Sequence, residues 1–599
     1  MVKTIRNPLS GKRPRRSITS YGCWMLAAVF VVLVFSAFSW MTRLAVTSTV
    51  SSMRRQPQRR GPSLQESGDA IARIRQEFQT RYGKYASSMY SKAVQEFGDL
   101  QSTAERLLRA ASANEPFVLG FAGYSVTVGR GNYFHESFPF VLERLLKPLL
   151  RETLDVSIVV RNGAIGGIPS FPYAFCFEHF LGNDLDVLSW DYSMNEGRGA
   201  SVLESYLRHS QQQPRRPMMI LLDTNAQRCN LLKEYTDNHW LSAGLCVGKA
   251  KEALPDKFDT SLPGLQHWDE FGAPASCPGR GSWHPKKMEH ELIGWLMSLY
   301  FVKAVELALQ LQQQHDDWRD RYGPEVHSVL TPQFGAPKGA ASNTQSVQNL
   351  LYGHEANGVY ELHDISCRTN FLPASDNDKV LPSIVVSGLA AGATADNIMS
   401  PRSDREYQEG WVLDVSKVER DTKIKVEKCG GLGYVDMKIA LYGIPESGTL
   451  RLWLPLEGHA HDDHDHGDDE DATHVFDEIV ICEANDKRGD AACQLDRDVE
   501  YTVGGVGVVS PSMVKGAGEY LKRQTCVSLG VPQGAKLVKL GQVESEDGRA
   551  IGAEVKRRLS GHATPSDDHL GLVVDIRARP NVKRKEGACC ISHVVWEQH

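Results

Sequence analysis

Apolar residues between positions 113 and 325 follow two spacings. Short, nearly continuous apolar runs predict buried strands, and apolar residues at three- and four-residue steps predict helices. The predicted strands are 117–122, 156–161, 185–190 and 217–223, and the predicted helices are 134–150, 170–181, 199–212, 226–239 and 285–312. Strands that alternate with helices are typical of a parallel sheet covered on both faces. The pattern therefore predicts a three-layer, parallel-sheet α/β domain over 113–325.

The longest uncharged apolar segment lies near the N-terminus, at 22–42, with Trp24 and Trp40 near its two ends. About 20 apolar residues suffice to cross a bilayer as a helix, and tryptophans favour the two interfaces. We expect a single transmembrane anchor at 22–42, preceded by a basic cytoplasmic tail at 1–21 and followed by a linker at 43–65. A cleaved signal peptide is the alternative.

Residues 66–112 show a helical stripe that includes Ile71, Ile74, Phe78 and Tyr82. Such a stripe predicts a helix with one apolar face. The helix is either a stem that pairs with another chain or an element packed on the following domain.

The pattern changes after a predicted linker at 326–358. Short alternating runs separated by turns rich in glycine and aspartate predict strands, and they occur at 411–415, 449–456, 475–482 and 572–577. Several such strands in succession are typical of a sandwich. We expect a β-rich, sandwich-like accessory domain at 359–599.

Composition narrows the class of protein. The chain has 599 residues and a net charge of −6, which excludes the overall basic surplus of a nucleic-acid-binding protein. Eleven of its twelve cysteines follow the predicted anchor, and disulfides form in oxidising compartments. We therefore expect a single-pass membrane protein whose bulk is lumenal or extracellular, in the Golgi or elsewhere in the secretory pathway.

Four residues that could carry chemistry lie where predicted strands end. Ser125 follows the first strand, Gly167 the second and Asn195 the third, and His284 precedes the last long helix. Because the carboxyl ends of parallel strands share one edge of a sheet, these residues should lie close together. A serine, an imidazole, an amide and a glycine N–H are the groups that acyl transfer requires.

The four motifs resemble the SGNH (GDSL-type) hydrolase family over roughly 116–312. The resemblance implies that Ser125 is the nucleophile and His284 the general base. It implies that Gly167 and Asn195 donate the main-chain and side-chain hydrogen bonds to the oxyanion. It implies no cofactor.

Two positions depart from the family's pattern. Tyr124 stands where the family has the aspartate of Gly-Asp-Ser, and Gly281 stands where it has an aspartate three residues before the histidine. Asp269 or Glu270 could orient His284 instead, or a main-chain carbonyl could do so. Loss of the orienting acid weakens a triad of this kind.

A second segment, 458–474, is dense in histidine and acidic residues. We interpret it as an exposed acidic loop and expect no metal. A divalent metal held by imidazoles of this loop is the weaker alternative, with candidate ligands His459, His461, His464 and His466.

These features predict a membrane-anchored serine esterase or acyltransferase that acts through an acyl-enzyme. An acylated glycan or a small ester is the expected substrate, with the membrane reached through the N-terminal helix and no nucleic acid bound. The alternative is a catalytically degenerate hydrolase fold that serves as a glycan- or protein-binding scaffold.

Overall fold

The structure is a computed structural model that describes residues 64–598 with internal gaps. These gaps are 97–98, 197–200, 231–234, 237–241, 324–335, 337–347, 376–379, 392–398, 401, 429–435, 457–474, 484–492, 515–525, 544–568 and 581–587. The predicted tail (1–21) and anchor (22–42) lie outside the described residues.

Six strands form the sheet of the first part of the chain, 64–323. They are β1 (Val94–Glu96), β2 (Phe117–Gly123), β3 (Ile158–Asn162), β4 (Val187–Asp191), β5 (Met218–Leu222) and β6 (Ala243–Leu245). Their order is β1-β6-β5-β4-β2-β3, with β1 antiparallel at one edge and the other five parallel. The four predicted strands are β2 to β5. Strands β1 and β6 were not predicted from the sequence, because three residues are too few to show a period.

Ten helices are described in and just after this part. They are α1 (Leu64–Tyr82), α2 (Ala86–Ala93), α3 (Leu100–Ala113), α4 (Ser125–Val128), α5 (Phe138–Leu154), α6 (Phe177–Leu181), α7 (Ser201–Ser210), α8 (Lys287–Gln314), α9 (Trp318–Arg321) and α10 (Gln348–Tyr352). The helix predicted at 170–181 is only the five residues of α6, since Pro169 and Pro172 interrupt the start of that stretch. Half of the helix predicted at 226–239 lies outside the described residues, which include only 226–230 and 235–236 of this range.

Helices cover both faces of this sheet. On β2, Phe117 contacts Phe301 of α8 and Phe121 contacts Phe138 of α5, so odd-numbered residues face that helical layer. A side chain at Gly120 would meet Leu181 of α6, on the opposite face. The three-layer arrangement that the alternating pattern predicts is therefore present.

The stretch 66–112 packs on this domain, which is one of the two arrangements expected from its sequence. Ile71, Ile74, Phe78 and Tyr82 of α1 are buried in the same core as β2 and α8. The apolar stripe of α1 thus covers the helical layer, and β1 extends the sheet from the same stretch.

One helix among the described residues, α8, has the length and hydropathy of a membrane span. Most of it is buried inside the protein, and Phe301 on this helix contacts β2. A central core helix meets the same criteria of length and composition as a span. We therefore describe α8 as the core helix of the α/β part.

The second part of the chain, 348–598, is rich in strands. After the hairpin β7 (His354–Ala356) and β8 (Val359–Glu361), the strands are β9 (Asp364–Thr369), β10 (Val385–Ser387), β11 (Val412–Asp414), β12 (Ala440–Gly443), β13 (Thr449–Pro455), β14 (Phe476–Cys482), β15 (Val499–Val503), β16 (Val506–Val509), β17 (Ser512–Met513), β18 (Cys526–Gly530), β19 (Leu537–Lys539), β20 (Leu570–Ala578), β21 (Cys589–Ile591) and β22 (His593–Gln598). Two further helices are α11 (Asp404–Glu409) and α12 (Lys417–Lys428). Part of the predicted linker at 326–358 is therefore structured, because it ends in α10 and β7.

Two sheets of this part pack face to face. One has the order β10-β13-β20-β15-β16 with β19 beside β20, and the other has the order β17-β18-β14-β22-β9. Alternate residues of both sheets, such as Leu452 of β13 and Ile481 of β14, share one apolar core. This arrangement is a sandwich, as the alternating runs predict.

The β17-β18-β14-β22-β9 sheet is buried on both faces. Val480 of β14 and Val595 of β22 lie opposite each other, on the side away from the sandwich core. Both belong to the apolar core of the α/β part. One continuous apolar core therefore joins the two parts.

Four disulfides are formed among the described residues, and one of them, Cys176–Cys367, links the two parts. The others are Cys229–Cys246, Cys482–Cys526 and Cys493–Cys589. Disulfides of this number indicate an oxidising compartment, extracellular or lumenal.

Candidate active site

Ser125 lies at the point where β2 turns into α4. Tyr124 is the last extended residue, and Ser125 begins the four-residue helix. Gly123 has no space for a side chain, because a Cβ there would clash with Thr127 one turn later. This tight turn leaves Ser125 partly exposed at the carboxyl edge of the sheet.

The side chains of Ser125 and His284 are in contact. Their Oγ and Nε2 atoms are 2.9 Å apart, although the residues are 159 positions apart in the chain. The other ring nitrogen of His284, Nδ1, lies 2.5 Å from the main-chain oxygen of Gly279. A carbonyl only accepts a hydrogen bond, so Nδ1 carries the proton and Nε2 is left to accept one from the serine.

The orientation of His284 thus involves a main-chain carbonyl, one of the alternatives left open by the sequence. Glu270 instead contacts His267 at 2.9 Å, and both of these side chains are exposed. A carbonyl fixes the tautomer and the ring, but it offers only a partial charge to the imidazolium formed during catalysis. Asp269, the other candidate acid, is exposed.

Asn132 ties the histidine loop to the turn that follows Ser125. Its Nδ2 donates to the main-chain oxygen of Pro285 at 3.0 Å, and its Oδ1 accepts from the N–H of Gly272 at 2.8 Å. Asn132 is completely buried. Asn132 was not identified from the sequence, since an asparagine next to a glycine is also a common turn residue.

Gly167 and Asn195 lie in two neighbouring loops at the same edge. Strand pairing sets Phe121 beside Asn162 and Gly123 beside Asp191, so β2, β3 and β4 end together. The Asn195 Nδ2 donates to the main-chain oxygen of Ile168, next to Gly167, at 2.8 Å. Gly167 has φ 78°, a conformation that glycine adopts without strain.

Glu196 holds the same two loops together. Its Oε1 accepts hydrogen bonds from the N–H and the hydroxyl of Ser170, at 2.7 and 2.5 Å. Burial raises the pKa of Glu196 to about 7. The loop that contains Gly167 is therefore braced by a buried carboxyl group as well as by the Asn195 amide.

The β-rich part also contributes to this edge through Asp436. Its Oδ2 accepts from the N–H of Gly166 at 2.9 Å and contacts the Arg130 guanidinium at 2.7 Å. The Lys423 ammonium lies 3.4 Å from the other oxygen. Burial opposes the charge of Asp436, but Arg130, Lys423 and the N–H of Gly166 outweigh burial and hold its pKa well below the usual range.

A second carboxyl group, Asp191, is buried beneath the Ser125 turn. Its oxygens accept from the hydroxyls of Thr127 at 2.7 Å and Thr224 at 2.8 Å. Burial raises the pKa of Asp191 to about 7. Neither Asp191 nor Asp436 was identified from the sequence, because each acts on residues that are distant in the chain.

Trp283 is the most exposed large apolar side chain among the described residues, at 63%. Its ring lies beside that of His284, with 5.5 Å between the ring centroids. An exposed aromatic surface therefore borders the Ser125–His284 pair.

The four loop histidines considered as metal ligands, His459, His461, His464 and His466, lie outside the described residues. A cavity of about 370 Å³ lies between the two parts of the chain. His179 and Arg368 are among its lining residues, which do not include Ser125 or His284. The serine site is therefore an open edge of the sheet and is distinct from this cavity.

Comparisons with known proteins found no matching family model and no matching curated protein. Among solved structures, the chain is similar to a two-domain esterase described as active on acetylated mannans and co-crystallised with mannopentaose. That similarity has 11% identity and a TM-score of 0.38, and covers 85% of this chain and 98% of the esterase. A lipase/acylhydrolase from Enterococcus faecalis gives 13% identity and a TM-score of 0.22, with 33% of this chain and 96% of the other covered. Because both TM-scores are below 0.5, the function proposed below rests on the geometry of the site and not on these similarities.

Proposed function

We propose that the protein is a serine ester hydrolase of the SGNH type, with Ser125 as nucleophile and His284 as general base. The single observation that most supports this is the 2.9 Å contact between Ser125 Oγ and His284 Nε2. A serine hydroxyl becomes an effective nucleophile when an imidazole accepts its proton. The partly exposed position of Ser125 also supports a role in which substrate reaches it.

In the proposed first step, Ser125 Oγ bonds to the acyl carbon while its proton moves to His284 Nε2. The tetrahedral oxyanion is stabilised by the Gly167 N–H and by the N–H of the Asn195 amide that does not bond to Ile168. The bond from the acyl carbon to the alcohol oxygen then breaks. The alcohol leaves with the proton from Nε2, and the acyl group remains on Ser125.

In the second step, water attacks the acyl-enzyme and gives its proton to His284 Nε2. Collapse of the intermediate releases the carboxylic acid and returns the proton to Ser125. If a sugar hydroxyl replaces water, the same step is an acyl transfer, so both outcomes belong to one mechanism. We propose hydrolysis as the main reaction and transfer as the reaction favoured at high acceptor concentration.

We further propose an O-acylated glycan as the substrate. The exposed ring of Trp283 beside His284 supports this, since a flat aromatic surface can pack on the apolar face of a sugar ring. A small ester would react at Ser125 but would not use this surface. We also propose, as the location, a single-pass anchor at 22–42 with the remainder lumenal or extracellular.

The experiment compares ester turnover by the full-length protein on acetylated oligosaccharides and on nitrophenyl acetate. We expect Ser125→Ala to lower kcat/KM at least 10³-fold and to abolish labelling by a fluorophosphonate probe. Ser282→Ala, an exposed serine near His284, is the matched control and should be labelled and active. Folded wild-type protein that is neither labelled nor active would instead support the non-enzymatic scaffold.

The proposed location is tested separately. Alkaline carbonate should leave the full-length protein in the membrane pellet, and protease added outside sealed vesicles should spare residues after the anchor. Release of the protein into the supernatant would contradict the anchor and leave the esterase proposal untouched.

A further inference from the structure

A group of four side chains in the β-rich part has the composition of a metal site. It consists of His354 at the start of β7, His363 just before β9, Asp477 on β14 and Glu597 on β22. One ligand atom from each lies within 4.8 Å of all the others. None of the four belongs to the histidine-rich segment 458–474 or to the Ser125 site.

The fold brings these residues together from distant parts of the chain. Strand β22, which carries Glu597, pairs with both β9 and β14. Asp477 is on β14, and His363 directly precedes β9. The register of β14 shifts between Phe476 and Ile479, and such a bulge re-aims the side chains within it. The β7–β8 hairpin then adds His354, whose ring stacks on that of His363 with 4.1 Å between centroids.

The spacing of the ligand atoms matches a tetrahedral ion. His354 Nε2 lies 3.5 Å from oxygens of both Asp477 and Glu597. His363 Nδ1 lies 3.6 Å from Asp477 and 3.1 Å from Glu597. Bonds of about 2.0–2.1 Å from Zn²⁺ to nitrogen and oxygen place two ligands of a tetrahedron roughly 3.3–3.4 Å apart.

The environment of Glu597 supports a bound cation independently of this spacing. Its side chain is 1% exposed, and neither carboxylate oxygen makes a hydrogen bond within the described part of the chain. A buried carboxylate without hydrogen bonds is costly unless a positive charge compensates it. Among the described residues, no lysine or arginine forms an ion pair with Glu597. The other three side chains are between 21% and 33% exposed, so an ion could enter from solvent.

We propose that His354, His363, Asp477 and Glu597 bind one divalent transition-metal ion of the Zn²⁺ class. Two imidazoles favour such an ion over Ca²⁺ or Mg²⁺, which prefer sets of oxygen ligands alone. With four protein ligands the site is structural, because no position is left open for a reacting water. The ion fastens the β7–β8 hairpin to the β17-β18-β14-β22-β9 sheet.

The experiment measures Zn²⁺ binding by calorimetry on full-length protein after removal of metal with EDTA. The background variant has serine in place of His459, His461, His464, His466 and His474, so that the histidine-rich segment does not contribute. We expect one equivalent of Zn²⁺ to bind, and CaCl₂ at the same concentration to give no binding. We expect Glu597→Gln and His354→Ala each to weaken Zn²⁺ binding at least tenfold.

The matched control is the exposed pair of His267 and Glu270, replaced as His267→Ala and Glu270→Gln, which should leave binding unchanged. If Glu597→Gln does not fold, the more exposed Asp477→Asn provides the same test. Zn²⁺ should also raise the Tm of the background protein and not that of the site variants. The proposal would be overturned if the background protein bound no Zn²⁺. It would also be overturned if Zn²⁺ binding did not respond to substitution of the four ligands, or if the site bound Ca²⁺ and not Zn²⁺.

Discussion

At the scale of single residues, Trp283 should distinguish the proposed glycan substrate from a small ester. Its exposed ring is adjacent to His284 but is not part of the Ser125–His284 pair. Contacts made away from the reacting bond contribute to binding of the ground state and transition state alike. Trp283 should therefore affect the affinity for a glycan more than the rate of the chemical step.

We predict that Trp283→Ala raises KM for an acetylated oligosaccharide about tenfold with kcat nearly unchanged. Burial of roughly 55 Å² of apolar surface is worth about 1.4 kcal/mol, which corresponds to that factor. Turnover of nitrophenyl acetate should not change. Val508→Ala, at another exposed apolar side chain, serves as control. Equal loss on both substrates would contradict a role in glycan binding.

Asp191 gives a prediction about pH. Its folded pKa of about 7 is well above its unfolded value of about 3.9, so the folded state holds a proton that the unfolded state has lost between these values. The protonated Asp191 carboxyl therefore makes its whole contribution to the free energy of unfolding below pH 4, and this contribution is lost as the pH rises to 7. Asp191→Asn cannot titrate and removes this dependence.

We expect the difference in unfolding free energy, wild type minus Asp191→Asn, to fall by about 2–3 kcal/mol between pH 5 and pH 7.5. Urea denaturation at several pH values measures it, and comparison of the two proteins cancels the other titrating groups. Asp69→Asn, the same substitution at an exposed position, is the control for the chemical change itself. A flat profile for Asp191→Asn would contradict the raised pKa.

At the scale of elements, the reactive groups depend on how loops are held to one another. Asn132 connects the turn after Ser125 to the loop that ends at His284, through Pro285 and Gly272. A displacement of about 1 Å between a nucleophile and its base can lower a rate a hundredfold. The position of His284 relative to Ser125 should therefore respond to the loss of either hydrogen bond.

We predict that Asn132→Ala lowers kcat by roughly 10–100-fold with little change in KM. Asn132→Asp keeps the oxygen that accepts from Gly272 but sets a second carboxylate oxygen against the Pro285 carbonyl oxygen, and should give a loss at least as large. The rate of fluorophosphonate labelling should fall in the same order. Wild-type rates in both folded variants would show that Asn132 does not position the histidine.

Much of the arrangement of helices and strands could be predicted from the sequence. The apolar periods identified β2 to β5, α5, α7 and α8, because each is long enough to repeat. Ser125 and His284 could be predicted to lie close together, because the order of strands and helices places both residues at the same edge of the sheet. The carbonyl of Gly279 and the bonds of Asn132 could not be predicted, because they depend on the path of loops with no regular period.

At the scale of the whole molecule, the second part of the chain supports the first. Asp436 accepts a hydrogen bond from the main-chain N–H of Gly166, the residue before Gly167, although Asp436 lies 270 positions later in the chain. Sequence patterns are local and could not reveal this contact. The same holds for the four-ligand group around Glu597, whereas the histidine-rich segment attracted attention only by its composition.

We predict that Asp436→Asn lowers kcat at least tenfold while leaving the Tm within a few degrees. The amide retains an oxygen for Gly166 but no longer compensates Arg130 and Lys423, so the loop that contains Gly167 should be held less firmly. Asp575→Asn, which breaks an ion pair with Arg451 inside the β-rich part, is the control. Unchanged kcat in Asp436→Asn would show that the contact has no effect on the reaction.

The disulfide between the two parts gives the last prediction. Cys176 and Cys367 are 191 positions apart, and in the chain-entropy account a cross-link over so long a loop contributes about 5 kcal/mol. For Cys229 and Cys246, 17 positions apart, the same account gives about 3 kcal/mol. Replacing both Cys176 and Cys367 with serine should therefore lower the Tm more than replacing both Cys229 and Cys246. The reverse order would point to local strain rather than loop closure.

The sheet formed by β17, β18, β14, β22 and β9 has apolar contacts on both of its faces, one towards the sandwich and one towards the helices of the α/β part. A fragment that ends at Gly323 would expose the helical surface that Val480 and Val595 cover, and it would lack Asp436. Such a fragment should aggregate and react slowly even though it retains Ser125 and His284. The C-terminal half is therefore not a detachable binding module. A different domain in its place would have to cover the same helical surface and also supply a carboxylate where Asp436 now contacts Gly166.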